Sequence, residues 1–531
     1  MSLKTLIIDS ENRLTLDIVN SFVFNKSRRI SMSGDENFCN IINANRLYLE
    51  DLLNSNEDIY GVTTGYGNSS SNRFDASKAQ QLQHNLIQYH NCGVGPYLTE
   101  EQCTASLIIR LNCLSKGRSG VSLELLKKLA DLADSRIIPA IPSMGSVGAS
   151  GDLTPLSYIA AALEGSGNCY LNGIICTTAD IFKSRNILPY RFLAKEALAI
   201  MNGTSVMTGI SVIAWQEAKR VADLACCATG LMVEILEGRT SPFESSLHDL
   251  KPYPGQKIAA QNIFNLINNA GARHTRKNDT LKNNESNRAI QRLQDSYSVR
   301  CAPQVIGVLY DTLDWTQSWL EIEMNSVNDN PVFFHENRNV LNGGHFYGGH
   351  VAAACDALKT ATANVLNLID KQLAILVDSR FSGILPDNLV AKQHLGPDSH
   401  LNHGFKAMQI TSSALTAEAL KNSIPMSIFS RSTECLNQDV VSMGTIAARD
   451  LANITTISKS VLAIHLMALR QAVFVSPEAQ LRDRLNEKCL GVIDSLAELS
   501  PVVIEDRPLD LQLANVARSL FRTCSGVFAN T

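Results

Sequence analysis

The stretch MGSVGASGDLTPLSYIA, residues 144–160, carries a single charge, Asp152, and an unbroken Ala149-Ser150-Gly151. Three small residues in a row can do chemistry that bulkier ones cannot. If the chain bends tightly, the amide nitrogen of Gly151 reaches the carbonyl carbon of Ala149. Ring closure expels one water, and loss of the Ser150 hydroxyl across its Cα–Cβ bond expels a second. What remains is an exocyclic methylidene, an electrophile made from the chain itself. Glycine offers an unhindered nitrogen and a permissive backbone, alanine leaves the attacked carbonyl uncrowded, serine supplies the leaving group, and Asp152 is at hand to move protons. The tripeptide alone is weak evidence. At about 7% for each residue it turns up by chance in roughly one chain in five of this length, and a plain loop before a helix at Pro155 accounts for it equally well.

The elements around it read as helix. LELLKKLADLADS (123–135), LDWTQSWLEIEMNSV (313–327), ALTAEALKNS (414–423) and TTISKSVLAIHLMALRQAVF (455–474) repeat apolar residues at three and four. The apolar stretch 209–238 carries Glu217, Lys219, Arg220 and Asp223, which predicts a buried helix rather than a membrane span. Strand signals are sparse, so a mainly α protein is expected. With 531 residues the chain can bury a large core, as two to four domain-sized units or one extended helical architecture. Gly- and Asn-rich stretches at 60–75, 271–287 and 338–350 predict loops, where function commonly sits on a rigid scaffold.

Composition excludes several classes. Lys and Arg number 47 against 51 Asp and Glu, with no basic stripe for nucleic acid or an anionic membrane. The 13 cysteines are scattered apart from Cys226-Cys227 and form no Cys-x-x-Cys pair. Neither a zinc site nor a disulfide framework follows, and a reduced, cytoplasmic setting is expected. Asp9, Glu11 and Arg13 break the first apolar run, unlike a signal peptide. His394, His400 and His403 match no metal spacing, so a polar loop and no metal are expected there. Gly61, Gly65 and Gly67 lack the spacing and lysine of a phosphate loop.

GASGDLTPLSYIA resembles the signature of the aromatic amino acid ammonia-lyases, acting on histidine, phenylalanine or tyrosine, and of the related 2,3-aminomutases. The resemblance continues in order through YGVTTGYG (60–67), LQHNLIQYHNCGVG (82–95), MNGTSVMTG (201–209), QDSYSVRCAPQVIG (294–307), NSVNDNPVF (325–333), GGHFYGGH (343–350) and NQDVVSMG (437–444), from about residue 40 to 470. It implies a long helical bundle of the ammonia-lyase, fumarase/aspartase-like type. An N-terminal domain (1–205) would carry the prosthetic-group loop and Tyr60, followed by a central long-helix bundle (206–475) and a C-terminal helical cap (476–531). It also implies 4-methylideneimidazol-5-one formed autocatalytically from Ala149-Ser150-Gly151, no external cofactor, and a homotetramer whose active sites are assembled from several subunits.

The same resemblance assigns roles. Tyr60 resembles the base that takes the substrate's β-proton; a free tyrosine titrates near 10, so its surroundings must favour phenolate. Arg300 resembles the arginine that grips the substrate carboxylate with its planar fork, and on a helix Tyr297 and Gln294, three and six residues earlier, would share its face. Asn330 resembles the second carboxylate donor. Asn202 resembles the donor to the ring oxygen; Asn202-Gly-Thr204 also fits a glycosylation acceptor, a reading set aside for want of a secretory signal. Phe346 resembles the aromatic packed beside the prosthetic group. The catalytic set is then Tyr60, Ala149, Ser150, Gly151, Asn202 and Tyr297. The substrate-binding set is Tyr89, His90, Gln294, Arg300, Asn330, Phe346, Lys406, Glu434 and Gln438.

Substrate choice turns on few positions. Tyr89-His90 stands where phenylalanine lyases have Phe-Leu, many tyrosine lyases His-Leu and histidine lyases Ser-His. His90 can bond an imidazole or a phenol. Gln438 and Lys406 stand where histidine lyases carry Glu and Met, and resemble the phenylalanine and tyrosine branch. The resemblance therefore implies L-tyrosine going to 4-coumarate and ammonia, with phenylalanine to cinnamate weaker and histidine weakest. The alternatives are a histidine ammonia-lyase giving urocanate and a tyrosine 2,3-aminomutase; further off stand a pseudoenzyme scaffold and a fumarase/aspartase-type lyase lacking the modified tripeptide.

Overall fold

The structure, a computed structural model, describes residues 5–55, 57–267, 294–383, 385–476 and 481–522. The predicted loop at 271–287 lies outside the described residues. Helix dominates. Of the four longest, Ser205–Ile235, Ala302–Met324 and Gly444–Val475 each contain or extend an apolar stretch read from the sequence, whereas Gly349–Leu376 was not among those stretches. The periodicity read through 327 stops earlier, at Met324. Gly444–Val475 is long and apolar enough to cross a bilayer by length and composition, but 72% of its most apolar window is buried within the fold.

Strands are three or four residues long and pair in small sheets. Leu6–Ile8 runs parallel to Ile30–Met32, and Val94–Tyr97 antiparallel to Pro142–Met144. Asn168–Leu171 lies between Ile137–Pro139 and Ile174–Thr177. Val332–Phe334 and Asn339–Leu341 form a hairpin in the register Phe333 to Val340. The stretch 338–350, predicted as loop, therefore begins with a strand and ends in the helix that starts at Gly349, leaving a shorter glycine-rich connection.

Contacts divide the chain into two units, each drawn from three segments: 1–216, 316–356 and 425–452 in the first, and 217–315, 357–424 and 453–531 in the second. Four of the five divisions fall inside the four long helices, so each of these contributes to both units. In the first unit, helix Glu36–Asn54 packs Tyr48, Leu49 and Leu52 into a core with Ile59, Val62, Ala79, Ala194 and Phe333. Ile59 and Val62 flank Tyr60, so burial worth roughly 1.5–3 kcal/mol for each large aliphatic side chain anchors the loop that presents it. Helix Glu100–Leu114 starts with a capping box between Thr99 and Gln102 and places Glu100 and Glu101 at its positive end. It is buried on nearly every face. In the second unit, a Cβ at Gly307 would lie 2.5 Å from Gln256 Cα, so glycine permits the backbones of Pro254–Ile267 and Ala302–Met324 to meet.

Candidate active site

The tripeptide sits on a tight turn between strand Pro142–Met144 and helix Leu153–Leu163. Ser150 and Gly151 are both left-handed, with φ of 48° and 76°, a conformation costing a non-glycine residue roughly 1–2 kcal/mol. Gly151 pairs with Gly203 in an isolated parallel bridge, and Asp152 N donates to Gly203 O at 2.7 Å. A Cβ on Gly151 would lie 2.1 Å from that carbonyl oxygen, so only glycine fits. Asp152 is fully buried, and its carboxylate does not cap its own helix. Its Oδ2 accepts from Val206 N at 3.0 Å and Met207 N at 2.8 Å, the orphan donors at the start of Ser205–Ile235, and its Oδ1 accepts from Thr445 Oγ1 at 2.5 Å. Burial pushes its carboxyl up to about 6 against the pull of those donors. Asp152, expected to move protons, also anchors the turn to a helix N-terminus.

Tyr60 opens the neighbouring loop. Its phenol oxygen accepts from Gly67 N at 2.9 Å, a donor that an anion on that oxygen would keep. Gly61 is left-handed, φ 66°, and its missing side chain leaves room for Leu198 and the Tyr66 ring, which would lie 2.7 and 2.8 Å from a Cβ. Tyr66 Oη accepts from Gln83 Nε2 at 3.1 Å, and Gln83 Oε1 accepts from Leu198 N at 3.0 Å. Burial, reinforced by Tyr89 and Tyr60, pushes Tyr66 far above the usual phenol range. Tyr89 is pushed up to about 12 by burial, then by Tyr60 and Glu434, although the residue as a whole is 55% exposed. Burial pulls His90 down to about 4, so its imidazole is neutral at neutral pH. The Tyr89 and His90 ring centroids lie 4.5 Å apart.

A third segment meets both. Glu434, Cys435 and Leu436 are consecutive left-handed residues, with φ of 48°, 53° and 65°, in a turn closed by the bridge from Thr433 to Gln438. Glu434, expected to bind substrate, has its carboxylate oxygens 3.1 and 3.0 Å from Asn68 N and lies against Gly67. Gln438 Nε2 reaches Ser150 Oγ at 3.4 Å. The first unit thus gathers Tyr60, Tyr89, His90 and Glu434, and joins Gln438 to Ser150.

Behind the turn, Asn202 Nδ2 donates to Asn330 O at 2.8 Å, leaving its second N–H for another acceptor; Asn202 Oδ1 is buried without a partner. Asn330 Oδ1 accepts from Gly343 N at 2.8 Å, which ties it to the glycine-rich connection carrying the half-buried Phe346. A buried ion pair, Lys195 Nζ to Asp329 Oδ2 at 2.6 Å, adjoins Asn330, whose N–H donates to Asp329 Oδ1 at 2.7 Å.

Gln294, Tyr297, Arg300 and Lys406 belong to the second unit. Tyr297–Arg300 is a single helical turn with the Arg300 guanidinium 4.5 Å from the centre of the Tyr297 ring. Gln294 is not on that helix, contrary to the spacing argument: Ser296, with ψ 154°, is the extended residue that begins the turn, so Gln294 precedes it in a bend. Lys406 is exposed at the start of Lys406–Lys421. His394 stacks on Phe474, and His403 Nδ1 lies 3.6 Å from Asp506. Among the described residues no group of three or more His, Cys, Asp or Glu could hold a metal ion.

Spacing missed Tyr66, Gln83 and Arg110. Tyr66 lies inside YGVTTGYG, six residues after Tyr60, and the signal for Arg110 was a lone charge in the apolar run LIIRLNCL.

The mainly helical chain thus presents a glycine-bounded Ala-Ser-Gly turn, a phenol on an adjoining loop and amides behind it. The aromatic amino acid lyase family profile matches residues 14–495. The chain is 36% identical to the tyrosine ammonia-lyase of Cereibacter sphaeroides, over 87% of this chain and 88% of that one. It is 37% identical to the histidine ammonia-lyase of Streptococcus sanguinis, over 82% and 81%. The crystal structure of the tyrosine aminomutase from Streptomyces globisporus superposes with a TM-score of 0.88 at 33% identity, covering 98% of this chain and 97% of that one. The chain belongs to the aromatic amino acid lyase family, among ammonia-lyases and aminomutases, and is an enzyme of the ammonia-lyase class.

Proposed function

We propose that the protein eliminates ammonia from L-tyrosine to give 4-coumarate, with phenylalanine a weaker substrate. The observation that carries this reading is the neutral, partly buried His90, its ring tilted 38° against that of Tyr89 beside the Tyr60 loop. An uncharged imidazole can exchange a hydrogen bond with a phenol and does not repel a neutral ring. At Ser150 the side chain is the amide of Gln438 rather than a carboxylate, which offers less to a substrate that can become cationic.

The electrophile is 4-methylideneimidazol-5-one, condensed from Ala149-Ser150-Gly151, and it supplies an electron sink for cleavage of the carbon–nitrogen bond. The left-handed Ser150-Gly151 turn, the absence of room for a side chain at 151 and the buried, unpartnered Oδ1 of Asn202 support this assignment. Tyr60 removes the β-proton from its seat against Gly67 N. Arg300, steadied by the Tyr297 ring, supplies a planar fork suited to a carboxylate and Asn330 a further donor, and the second Asn202 N–H would donate to the ring oxygen. The protein works as a homotetramer whose sites draw on several subunits; the exposure of Tyr297, Leu436 and Val440 supports burial by further copies. The free thiols of the described cysteines support a reducing, cytoplasmic setting.

The test is product identity and kcat/KM across tyrosine, phenylalanine and histidine. The expectation is 4-coumarate with tyrosine preferred. A higher kcat/KM for histidine, giving urocanate, replaces the reading with a histidine lyase, and accumulation of β-tyrosine replaces it with the aminomutase.

A further inference from the structure

The largest fully buried side chain among the described residues is a cation, Arg110. Burying a guanidinium costs several kcal/mol unless its donors are used, and burial pulls this one below its ordinary range, with Cys113, Asp329 and Asp152 opposing. Its hydrogen bonds go elsewhere than to a carboxylate. Nη1 donates to Asn328 Oδ1 at 2.6 Å, and Nη2 donates to Asn202 O at 2.8 Å and to Ala199 O. Two of these acceptors lie at the end of helix Glu196–Met201, just before Gly203. A Cβ on Gly203 would lie 2.1 Å from Arg110 Nη1, and a Cβ on Gly151 would lie 2.1 Å from Gly203 O. Guanidinium, Gly203 peptide and Gly151 are therefore packed with no side chain between them. The network continues outward: Asn328 Nδ2 donates to Thr204 Oγ1 at 2.9 Å, and that hydroxyl donates to Glu323.

We infer that Arg110 is a positioning residue for self-condensation of the Ala149-Ser150-Gly151 turn, an inference that rests on the functional reading above. In that condensation a bond forms from Gly151 N to Ala149 C. The Ala149 carbonyl oxygen leaves as water with the Gly151 and Ser150 amide protons, leaving a double bond from Ala149 C to Ser150 N. The Ser150 hydroxyl leaves as a second water with the Ser150 Cα proton, so no oxidant or co-reactant is required. Arg110 touches none of these atoms. Its fork fixes the carbonyls of 199 and 202, which hold Gly203 flat against Gly151 and keep Gly203 O aligned with Asp152 N. A lysine would keep the charge and lose the fork.

The experiment follows, by mass spectrometry, the fraction of peptide 149–151 lacking two waters in folded wild type, Arg110→Lys and Thr204→Val. Arg110→Lys is expected to lose the two waters at least tenfold more slowly than wild type, and Thr204→Val, which deletes only the outer hydroxyl, about threefold more slowly. A merely structural role would lower the melting temperature while leaving condensation complete in the folded fraction, and complete, wild-type-rate condensation in folded Arg110→Lys overturns the inference. Should Arg110→Lys not accumulate as folded protein, Thr204→Val decides by the same criterion. An unmodified peptide in wild type overturns the functional reading itself, a result distinct from equal condensation in wild type and variants.

Discussion

Two phenols stand close together in the first unit, and only one is seated to act. Tyr60 holds a backbone donor on its oxygen, whereas Tyr66 is buried against Gly61 and bonded to Gln83. Tyr60→Phe keeps the ring and removes the base, so kcat on tyrosine should fall by about 10²–10⁴ while KM moves little; steady-state kinetics with near-normal kcat would remove Tyr60 from the chemistry. His90→Leu leaves a substrate phenol unpaired, worth roughly 1–3 kcal/mol. The ratio of kcat/KM for tyrosine over phenylalanine should drop by about five- to 150-fold, and an unchanged ratio would take His90 out of recognition. These residues could be nominated from the sequence because each lies in a contiguous motif that carries the family resemblance. Arg110 was not, because its acceptors lie 92 and 218 positions along the chain. Gln294 was misread because helical spacing was carried across Ser296, where the helix begins.

At the scale of elements, the turn is held by helix ends. Asp152 satisfies two orphan N–H groups of Ser205–Ile235, and Thr445, one residue into Gly444–Val475, satisfies its other oxygen. Asp152→Asn removes an acceptor and turns an amide N–H toward these donors. About 1–3 kcal/mol of stability should be lost, seen as a lower denaturation midpoint with unchanged helical content by circular dichroism. A midpoint equal to wild type would mean that the anchor carries no load. Helices Leu123–Asp134, Ala302–Met324, Lys406–Lys421 and Gly444–Val475 were readable from apolar spacing at three and four, since burial of one face sets that period. The short strands were not, because three residues leave no alternation to detect; hairpin Val332–Phe334 with Asn339–Leu341 is found only by its pairing.

For the whole molecule, acid stability follows from buried histidines. His465 lies fully buried on Gly444–Val475 with neither ring nitrogen hydrogen-bonded, and burial pulls it from 6.5 to about 3; His90 falls from 6.5 to about 4. Within those windows the unfolded chain binds protons that the folded chain refuses, so stability is lost as pH falls below about 6.5. Asp152, raised from 3.8 to about 6, and Glu323, raised by burial, act in the opposite sense, so the histidine contribution is read as the difference between wild type and a variant. His465→Leu should reduce the slope of unfolding free energy against pH between 6 and 4 by roughly 1 kcal/mol per unit; an unchanged slope in denaturant titrations would contradict the burial argument. The central claim, that this fold exists to hold an Ala-Ser-Gly turn for self-condensation, is tested most directly by the mass of the proteolytic peptide spanning residues 149–151 in active wild-type protein. The account predicts a deficit of two waters confined to those residues and absent from Ser150→Ala, which should be folded and inactive. A fully active protein with an unmodified peptide would contradict it.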